Sequence, residues 1–372
     1  MHTGKYRLQI IFGRSRLLSA KLLFLLTFLT VQVFAQEPTI GGVYEVAIGT
    51  TDAAPLIKYW QQFGYRVGQT GELSAETAFK LYGVRSKLKS IRLLHGDADH
   101  GLIRLFVWEK PVNNGLQLAN MKTIGNRWGA MLTDDVYNLQ NHAEEAIKQK
   151  MPIYLVAAQY GEIYKLKQRP APFLETLAGV REMCLIQPLT RQILFQRFGY
   201  NLPLYGAVDK TSFFKSSQIT HFGMVVADNP ENLNFYDQVL GLLRNHDGNP
   251  GESNYDNPSS RAIFELKPGD TYATTDFDDP RSSVSDPQKA RSGRLKIVRF
   301  PANLNLPNKM DLARPGSLGY SLYTFRVRGI ENYRRKIKNS RATNVTEIVN
   351  NEFGERSFSF VAPDGYFWNL VE

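Results

Sequence analysis

Two residues occupy matching places in two similar stretches of the sequence, and both carry side chains that can do chemistry. His221 precedes Asp228 by seven positions, and Glu45 precedes Asp52 by the same distance. A neutral imidazole and a carboxylate both bind divalent metals and both transfer protons. His221 is therefore predicted to be a metal ligand, an acid–base group or a hydrogen-bonding pocket residue, and Glu45 a carboxylate that enters a cavity. The alternatives are a core histidine whose hydrogen bonds are satisfied and a carboxylate paired with a structural cation.

The elements that must position His221 lie in residues 219–243. Alternation of apolar residues predicts a strand at the start of this stretch, and Asp228 and Pro230 then indicate the beginning of a helix. Leu233, Tyr236 and Leu240 share one helical face, and Gly241 follows. The stretch 43–64, which contains Glu45, repeats this strand and helix.

The same unit of a strand, a helix and further strands recurs four times, starting near residues 43, 128, 219 and 318. The third unit is predicted to contain a strand over 261–266. The polar stretches 245–260 and 268–293 are predicted to be loops, with Asp276 and Asp278 of the second stretch in solvent. A connector without periodicity covers 199–216, so we expect two domains, 40–198 and 217–372.

The first 35 residues resemble a cleavable signal peptide. Five basic residues precede an apolar run over 22–34, and small residues lead up to Ala35. We therefore expect an exported protein, periplasmic or extracellular, that begins at Gln36 and keeps no membrane span. This segment holds five of the 45 basic residues and none of the 35 acidic ones, so the remainder carries 40 against 35. This small net positive charge, with no cluster of basic residues interleaved with aromatic ones, argues against nucleic acid as a partner.

Cys184 is the only cysteine of the chain. An exported protein with one cysteine forms no internal disulfide, so its stability must come from apolar cores. The chain is long enough to bury two cores of ordinary size. Alternation around Cys184 predicts a buried strand thiol, which indicates a structural residue rather than a nucleophile.

The repeated unit and the closing hairpin together resemble the vicinal oxygen chelate superfamily, which includes glyoxalase I, bleomycin-resistance proteins and extradiol dioxygenases. The residues that carry the resemblance are the stretch 44–52, the stretch 219–243 and the terminal APDGYFWNLVE of 362–372. The resemblance implies an α+β fold in which four βαβββ modules pair into two domains, each enclosing a cavity.

The resemblance also implies where a divalent metal, Fe, Mn, Ni or Zn, would be held. His221 matches a first-strand ligand, and Glu45 takes the corresponding place in the first module, so both are metal candidates. Other expected ligand positions carry different residues. The fourth module offers Ser321 or Leu322, Asn369 stands where relatives carry a glutamate, and Leu105 stands in that place in the first module.

The function expected from these residues is the binding of a small organic molecule in a module-pair cavity, with a degenerate metal site and no cofactor. In an enzyme, His221 would be the catalytic acid or base, with Glu45, Asn369 and Ser321 as binding residues. Two alternatives are a metal-dependent lyase or dioxygenase with atypical ligands and a non-catalytic interaction or scaffold protein. The sequence leaves the oligomeric state and the ligand open.

Overall fold

Strands dominate the part of the chain that the computed structural model describes, which covers residues 39–162, 178–248 and 257–372. The signal peptide expected over 1–35 lies outside these residues. The first module consists of β1 Ile40–Thr50, α1 Ala54–Gln61, β2 Tyr65–Leu73, α2 Ala75–Tyr82, β3 Leu88–His95 and β4 Leu102–Trp108. The second consists of β5 Arg127–Thr133, α3 Val136–Lys148, β6 Tyr154–Glu162, β7 Gly179–Ile186 and β8 Arg191–Phe198.

The other two modules follow the same plan. The third consists of β9 Ser216–Val226, a 3₁₀ turn Pro230–Leu233, a π-helical turn Phe235–Val239, β10 Leu243–Asp247, α4 Pro258–Ile263, β11 Ala273–Asp278 and β12 Arg294–Arg299. The fourth consists of β13 Gly319–Val327, α5 Ile330–Lys338, β14 Val349–Asn350, β15 Arg356–Val361 and β16 Phe367–Val371. Residues 199–215, where a connector was expected, contain no strand or helix.

Two eight-stranded sheets are formed, and each joins two modules that are not the expected pair. The first sheet has the order β14-β15-β16-β13-β1-β4-β3-β2, and the second has the order β10-β11-β12-β9-β5-β8-β7-β6. The first module thus pairs with the fourth and the second with the third, through the antiparallel seams β1–β13 and β5–β9.

This nested pairing corrects the sequential division into 40–198 and 217–372. Residues 39–372 form one compact unit, and neither sheet is confined to one of the two proposed halves. The physical reason is that each module leaves the free edge of its first strand for a partner. The sequence repeat reveals these edges, but it does not specify which two of them meet.

The main core lies between the two sheets. Ile48 and Tyr323 of the first sheet belong to the same buried cluster as Met131 and Met224 of the second. Because successive strand residues point to opposite faces, the neighbours of Ile48 and its equivalents project away from this core. These outward faces carry the candidate sites.

Two local predictions in the third module are wrong. Residues 261–266 were expected to form a strand, but α4 occupies Pro258–Ile263. The helix begins there because the Asn257 side chain accepts a hydrogen bond from Ser260 N at 3.0 Å, and Pro258 suits the first helical turn. Conversely, β11 lies within the stretch 268–293 that was expected to be a loop.

Cys184 is fully buried on β7, as the sequence predicted. Burial raises the pKa of its thiol to about 12. Within the described ranges, no helix combines the length and apolar character that crossing a membrane requires.

Candidate functional site

His221 lies on β9 at the centre of the second sheet, on the face turned away from the main core. Ala130 of β5 lies opposite it across the seam, and Arg294 of β12 lies beside it in parallel register. The rings of Phe195 and Tyr205 stand near the imidazole, with centroids at 5.5 and 6.2 Å. His221 remains partly exposed to solvent. We call this surface the His221 face.

Hydrogen bonding indicates which nitrogen of His221 carries the proton. Thr220 Oγ1 donates to the carbonyl oxygen of Ala130 at 3.0 Å, which uses its only proton. That oxygen can therefore only accept from His221 Nδ1, which is 3.3 Å away. Among the described residues, Nε2 has no hydrogen-bond partner. The imidazole thus presents Nε2 to the His221 face as a free acceptor.

Burial, with the positive charges of Lys296 and Arg294, lowers the pKa of His221 to about 3. The ring is therefore neutral at neutral pH. A base with so low a pKa takes up a proton poorly near pH 7, since an effective general base has a pKa close to the working pH. His221 is better suited to accepting a hydrogen bond than to acid–base catalysis.

Two aspartates of β11 accompany these cations. Arg294 contacts Asp278 at 2.5 Å and Asp276 at 3.0 Å, and Lys296 Nζ lies 3.4 Å from Asp276. Both carboxylates are buried. The expectation that Asp276 and Asp278 belong to a solvated loop is therefore wrong. They are strand residues whose negative charge is matched by Arg294 and Lys296.

Arg197 of β8 supplies a further cation on this face. Its guanidinium donates to the carbonyl oxygens of Tyr205 at 3.0 Å and Leu202 at 3.5 Å, and lies 5.6 Å from the centre of the Phe195 ring. Burial lowers the pKa of Arg197. No carboxylate within the described ranges forms an ion pair with Arg197, and its guanidinium is held there by backbone carbonyl oxygens.

The equivalent face of the first sheet has a different character. Glu45 is fully buried and accepts hydrogen bonds from Arg92 at 2.8 Å and from Arg104. Arg104 also contacts Glu352 at 3.0 Å, and Arg92 contacts Glu355 at 2.8 Å. These five residues, the Glu45 cluster, occupy the place where a cavity was expected. Glu45 is therefore held as a paired carboxylate.

Asn369, a candidate of the fourth module, lies near Glu45 rather than near His221. Thr324, which no motif suggested, lies opposite Glu45, and Asn369 lies beside Thr324. Asn369 Nδ2 donates to Ser357 Oγ at 2.8 Å and Ser359 Oγ at 3.0 Å.

Two further positions considered in the sequence lie apart from Glu45. Ser321 falls at a register shift between Ala47 and Ile48, with its hydroxyl 3.5 Å from the Ala47 carbonyl oxygen. Leu105 belongs to the main core. The structure therefore groups Glu45 with Asn369 and sets His221 apart in the other sheet.

Comparison with known proteins bears on the architecture. No protein-family model and no curated protein matches the sequence. Among solved structures, a glyoxalase I variant from Zea mays is similar over 92% of this chain and 96% of that chain, with 13% identity and a TM-score of 0.51. A Bacillus subtilis protein provisionally assigned as a dioxygenase is similar over 90% of this chain and 86% of that chain, with 9% identity and a TM-score of 0.51. This chain has the vicinal oxygen chelate fold.

The fold class predicted from the sequence is thereby confirmed. In this chain the modules pair through their first strands, and four modules give the two sheets seen here. At these low identities the similarity concerns the fold, and the side chains must decide what each cavity can hold.

The donor set of neither sheet suits the metal that the vicinal oxygen chelate fold implies. In the second sheet, the seam position opposite His221 is Ala130, and the flanking positions are Arg294 and Ile193. Two apolar residues and a cation leave His221 as one ligand, and stable metal sites use three or more protein ligands. Asp276, the carboxylate whose charge acts on His221, is already paired with Arg294 and Lys296.

In the first sheet, Glu45 is occupied by two guanidinium groups, which would repel a cation. No group of three or more histidine, cysteine, aspartate or glutamate side chains in the described part of the chain is arranged to hold a metal ion.

Sequence reasoning missed the cationic residues of both faces. Arg92 and Arg104 sit in the alternating runs of β3 and β4, and Arg294 sits in that of β12. The available signal was a charged residue placed in phase with apolar strand residues. Such a residue points to a buried partner of opposite charge.

Proposed function

We propose that this protein binds a small organic molecule on the His221 face of the second sheet without the help of a metal ion. The observation that carries the proposal is the free Nε2 acceptor of His221, set on a partly exposed face beside aromatic rings. The equivalent position in the first sheet is closed by the Glu45 cluster. The second sheet is therefore the better candidate for ligand binding.

The chemistry of the His221 face favours a particular kind of ligand. Nε2 requires a hydrogen-bond donor such as a hydroxyl group, and Phe195 and Tyr205 favour a planar or apolar body. Arg197, which pairs with no carboxylate in the described part of the chain, favours a negative or strongly polar group. A hydroxylated aromatic acid combines these features. The low pKa of His221 supports binding rather than proton transfer as its role.

Ligand binding is tested with 4-hydroxybenzoate as the probe, by isothermal titration calorimetry at neutral pH. We expect binding of one molecule per chain that is weakened by about tenfold in His221→Phe, which keeps the ring and removes the acceptor. His142→Phe, a change at an exposed position of α3, is the matched control. Equal affinity in His221→Phe and the unchanged protein would contradict the role of Nε2.

Metal analysis of the purified protein separates this proposal from a metal-dependent lyase or dioxygenase. We expect far less than one equivalent of Fe, Mn, Ni or Zn, and the same trace amount in His221→Ala. A stoichiometric metal that disappears in His221→Ala would overturn the proposal and favour the metal-dependent alternative. A protein that binds neither metal nor organic probes would favour the scaffold alternative.

We also propose that the protein is exported. The basic and apolar segments of residues 1–35, with small residues before Gln36, support a cleavable signal.

A further inference from the structure

A cavity that is separate from the His221 face lies at the end of the first sheet. It has a volume of about 460 Å³ and is bounded by the end of α2, by residues 310–315 and by the β15–β16 hairpin. Val84, Val112, Arg314, Val361 and Phe367 line it, together with Tyr82. Its volume falls within the range of about 300 to 1,000 Å³ that small-molecule sites occupy.

One buried arginine joins two walls of this cavity. Arg127 of β5 donates from Nη1 to the carbonyl oxygen of Ala313 at 2.6 Å and from Nη2 to that of Phe367 at 3.0 Å. A third part of the boundary is fixed by the hydrogen bond from Val112 N to the Gly316 carbonyl oxygen at 2.8 Å. The cavity is therefore preformed, and a ligand need not order its walls.

Of the residues that line this cavity, Tyr82, Asn344 and Arg314 carry polar side chains, and the others are apolar or glycine. Val84, Val361 and Phe367 present only carbon atoms. The hydroxyl of Tyr82 is already engaged, since it accepts from Arg104 at 3.0 Å and donates to Glu352 at 3.1 Å. A ligand inside the cavity is therefore held by burial of its apolar atoms.

The edge of the cavity carries a positive charge. Among the described residues that line it, only Arg314 has a side chain that is charged at neutral pH. Arg314 pairs with Asp311, but Asp311 is 86% exposed and is thus readily exchanged for another anion. A negatively charged group is favoured at this edge, and an amine would meet a like charge.

We propose that this cavity binds a compact apolar molecule carrying one acidic group. The apolar body packs against Val84, Val361 and Phe367, and the acidic group pairs with Arg314 at the edge. This proposal is independent of the His221 face, because the two surfaces lie on different sheets.

The test uses the fluorescent sulfonate 8-anilinonaphthalene-1-sulfonate and the neutral N-phenyl-1-naphthylamine, each titrated into the folded protein. Val112 is 64% exposed, so Val112→Trp adds bulk at the cavity without disturbing the core. We expect Val112→Trp to weaken binding of both probes by about tenfold or more. Val67→Trp, at a 43% exposed position of β2, is the matched control and should bind both probes normally.

The role of the charge is tested with Arg314→Gln. This variant should weaken binding of the sulfonate by up to about fivefold and leave binding of the neutral probe unchanged. Normal binding of both probes by Val112→Trp would overturn the site. If Arg314→Gln weakened binding of the two probes equally, or left binding of the sulfonate unchanged, the proposal that the ligand is acidic would be wrong. His221→Ala should bind both probes as the unchanged protein does, and loss of that binding would place the probes on the His221 face and overturn the cavity.

Discussion

Arg104 and Glu45 form an ion pair across the neighbouring strands β4 and β1, and neither side chain has any exposed surface. Removing the charge of Glu45 leaves two buried guanidinium groups short of a partner. We therefore expect Glu45→Gln to lower the free energy of unfolding by about 3 to 5 kcal/mol, measured by urea denaturation.

The matched control for this change is Glu76→Gln on α2. Glu76 pairs with Lys80 at 3.7 Å, but its side chain is 61% exposed. Removing its charge should therefore lower the free energy of unfolding by less than about 1 kcal/mol. If Glu45→Gln were as mild as Glu76→Gln, the Glu45 cluster would not be a stabilising feature.

The pH dependence of stability should report the environment of His221. The pKa of His221 is about 3 in the folded protein and 6.5 in its ordinary state, so the unfolded chain takes up a proton first as the pH falls. The stability that His221 contributes is complete above pH 6.5 and is lost between pH 6.5 and 3. Between pH 7 and pH 4, we expect the free energy of unfolding to fall by about 3 kcal/mol more in the native protein than in His221→Gln.

Urea denaturation of the two proteins at several pH values measures this difference. His142→Gln, which changes a surface histidine, serves as the control. Parallel stability curves for the native protein and His221→Gln would mean that burial and the charges of Lys296 and Arg294 do not lower the pKa of His221.

Asp364 gives the opposite dependence on pH. Its carboxylate accepts a hydrogen bond from the Tyr236 hydroxyl at 2.6 Å, and burial raises its pKa to about 6 from 3.8. The stability contributed by the neutral carboxyl is present below pH 3.8 and is lost as the pH rises through 6. From pH 8 to pH 5, we expect the free energy of unfolding of the native protein to rise by about 1 kcal/mol relative to that of Asp364→Asn. A constant difference between the two proteins, measured by urea denaturation, would contradict the raised pKa.

Processing of residues 1–35 can be examined directly. We expect the protein recovered from outside the cytoplasm to begin at Gln36, as determined by N-terminal sequencing and intact mass. Ala35→Leu should block cleavage, because signal peptidase requires a small residue there. Gln32→Leu, outside the recognised positions, should be processed normally. A mature chain that retains residues 1–35 would contradict the signal peptide.

The repeat was enough to predict the architecture, since strand alternation and helix boundaries are local properties of the sequence. β2 and β9 were recognisable in this way. The short helix α2 was missed, although Ser74 accepts a hydrogen bond from Thr77 N at 3.2 Å and Gly83 closes it. Its apolar pattern is brief, so capping was the only strong signal.

The composition of the sites could be predicted only in part. His221 and Glu45 were identified by position, but the neighbour of His221, Arg294, and the ion-pair partner of Glu45, Arg104, come from strands that pair through tertiary contacts. A local pattern shows that such an arginine is in phase with buried residues. It does not show which carboxylate lies across the sheet, and that depends on register between distant strands.

The seam between β1 and β13 also bears on the order in which the molecule can be assembled. Val46 of β1 pairs with Tyr323 of β13, so β1 is synthesised long before the strand that it pairs with. The β5–β9 seam joins segments that are much closer in the chain and can close earlier. During this interval the edge of β1 is exposed to aggregation, and chaperones that shield unpaired strands would act on it.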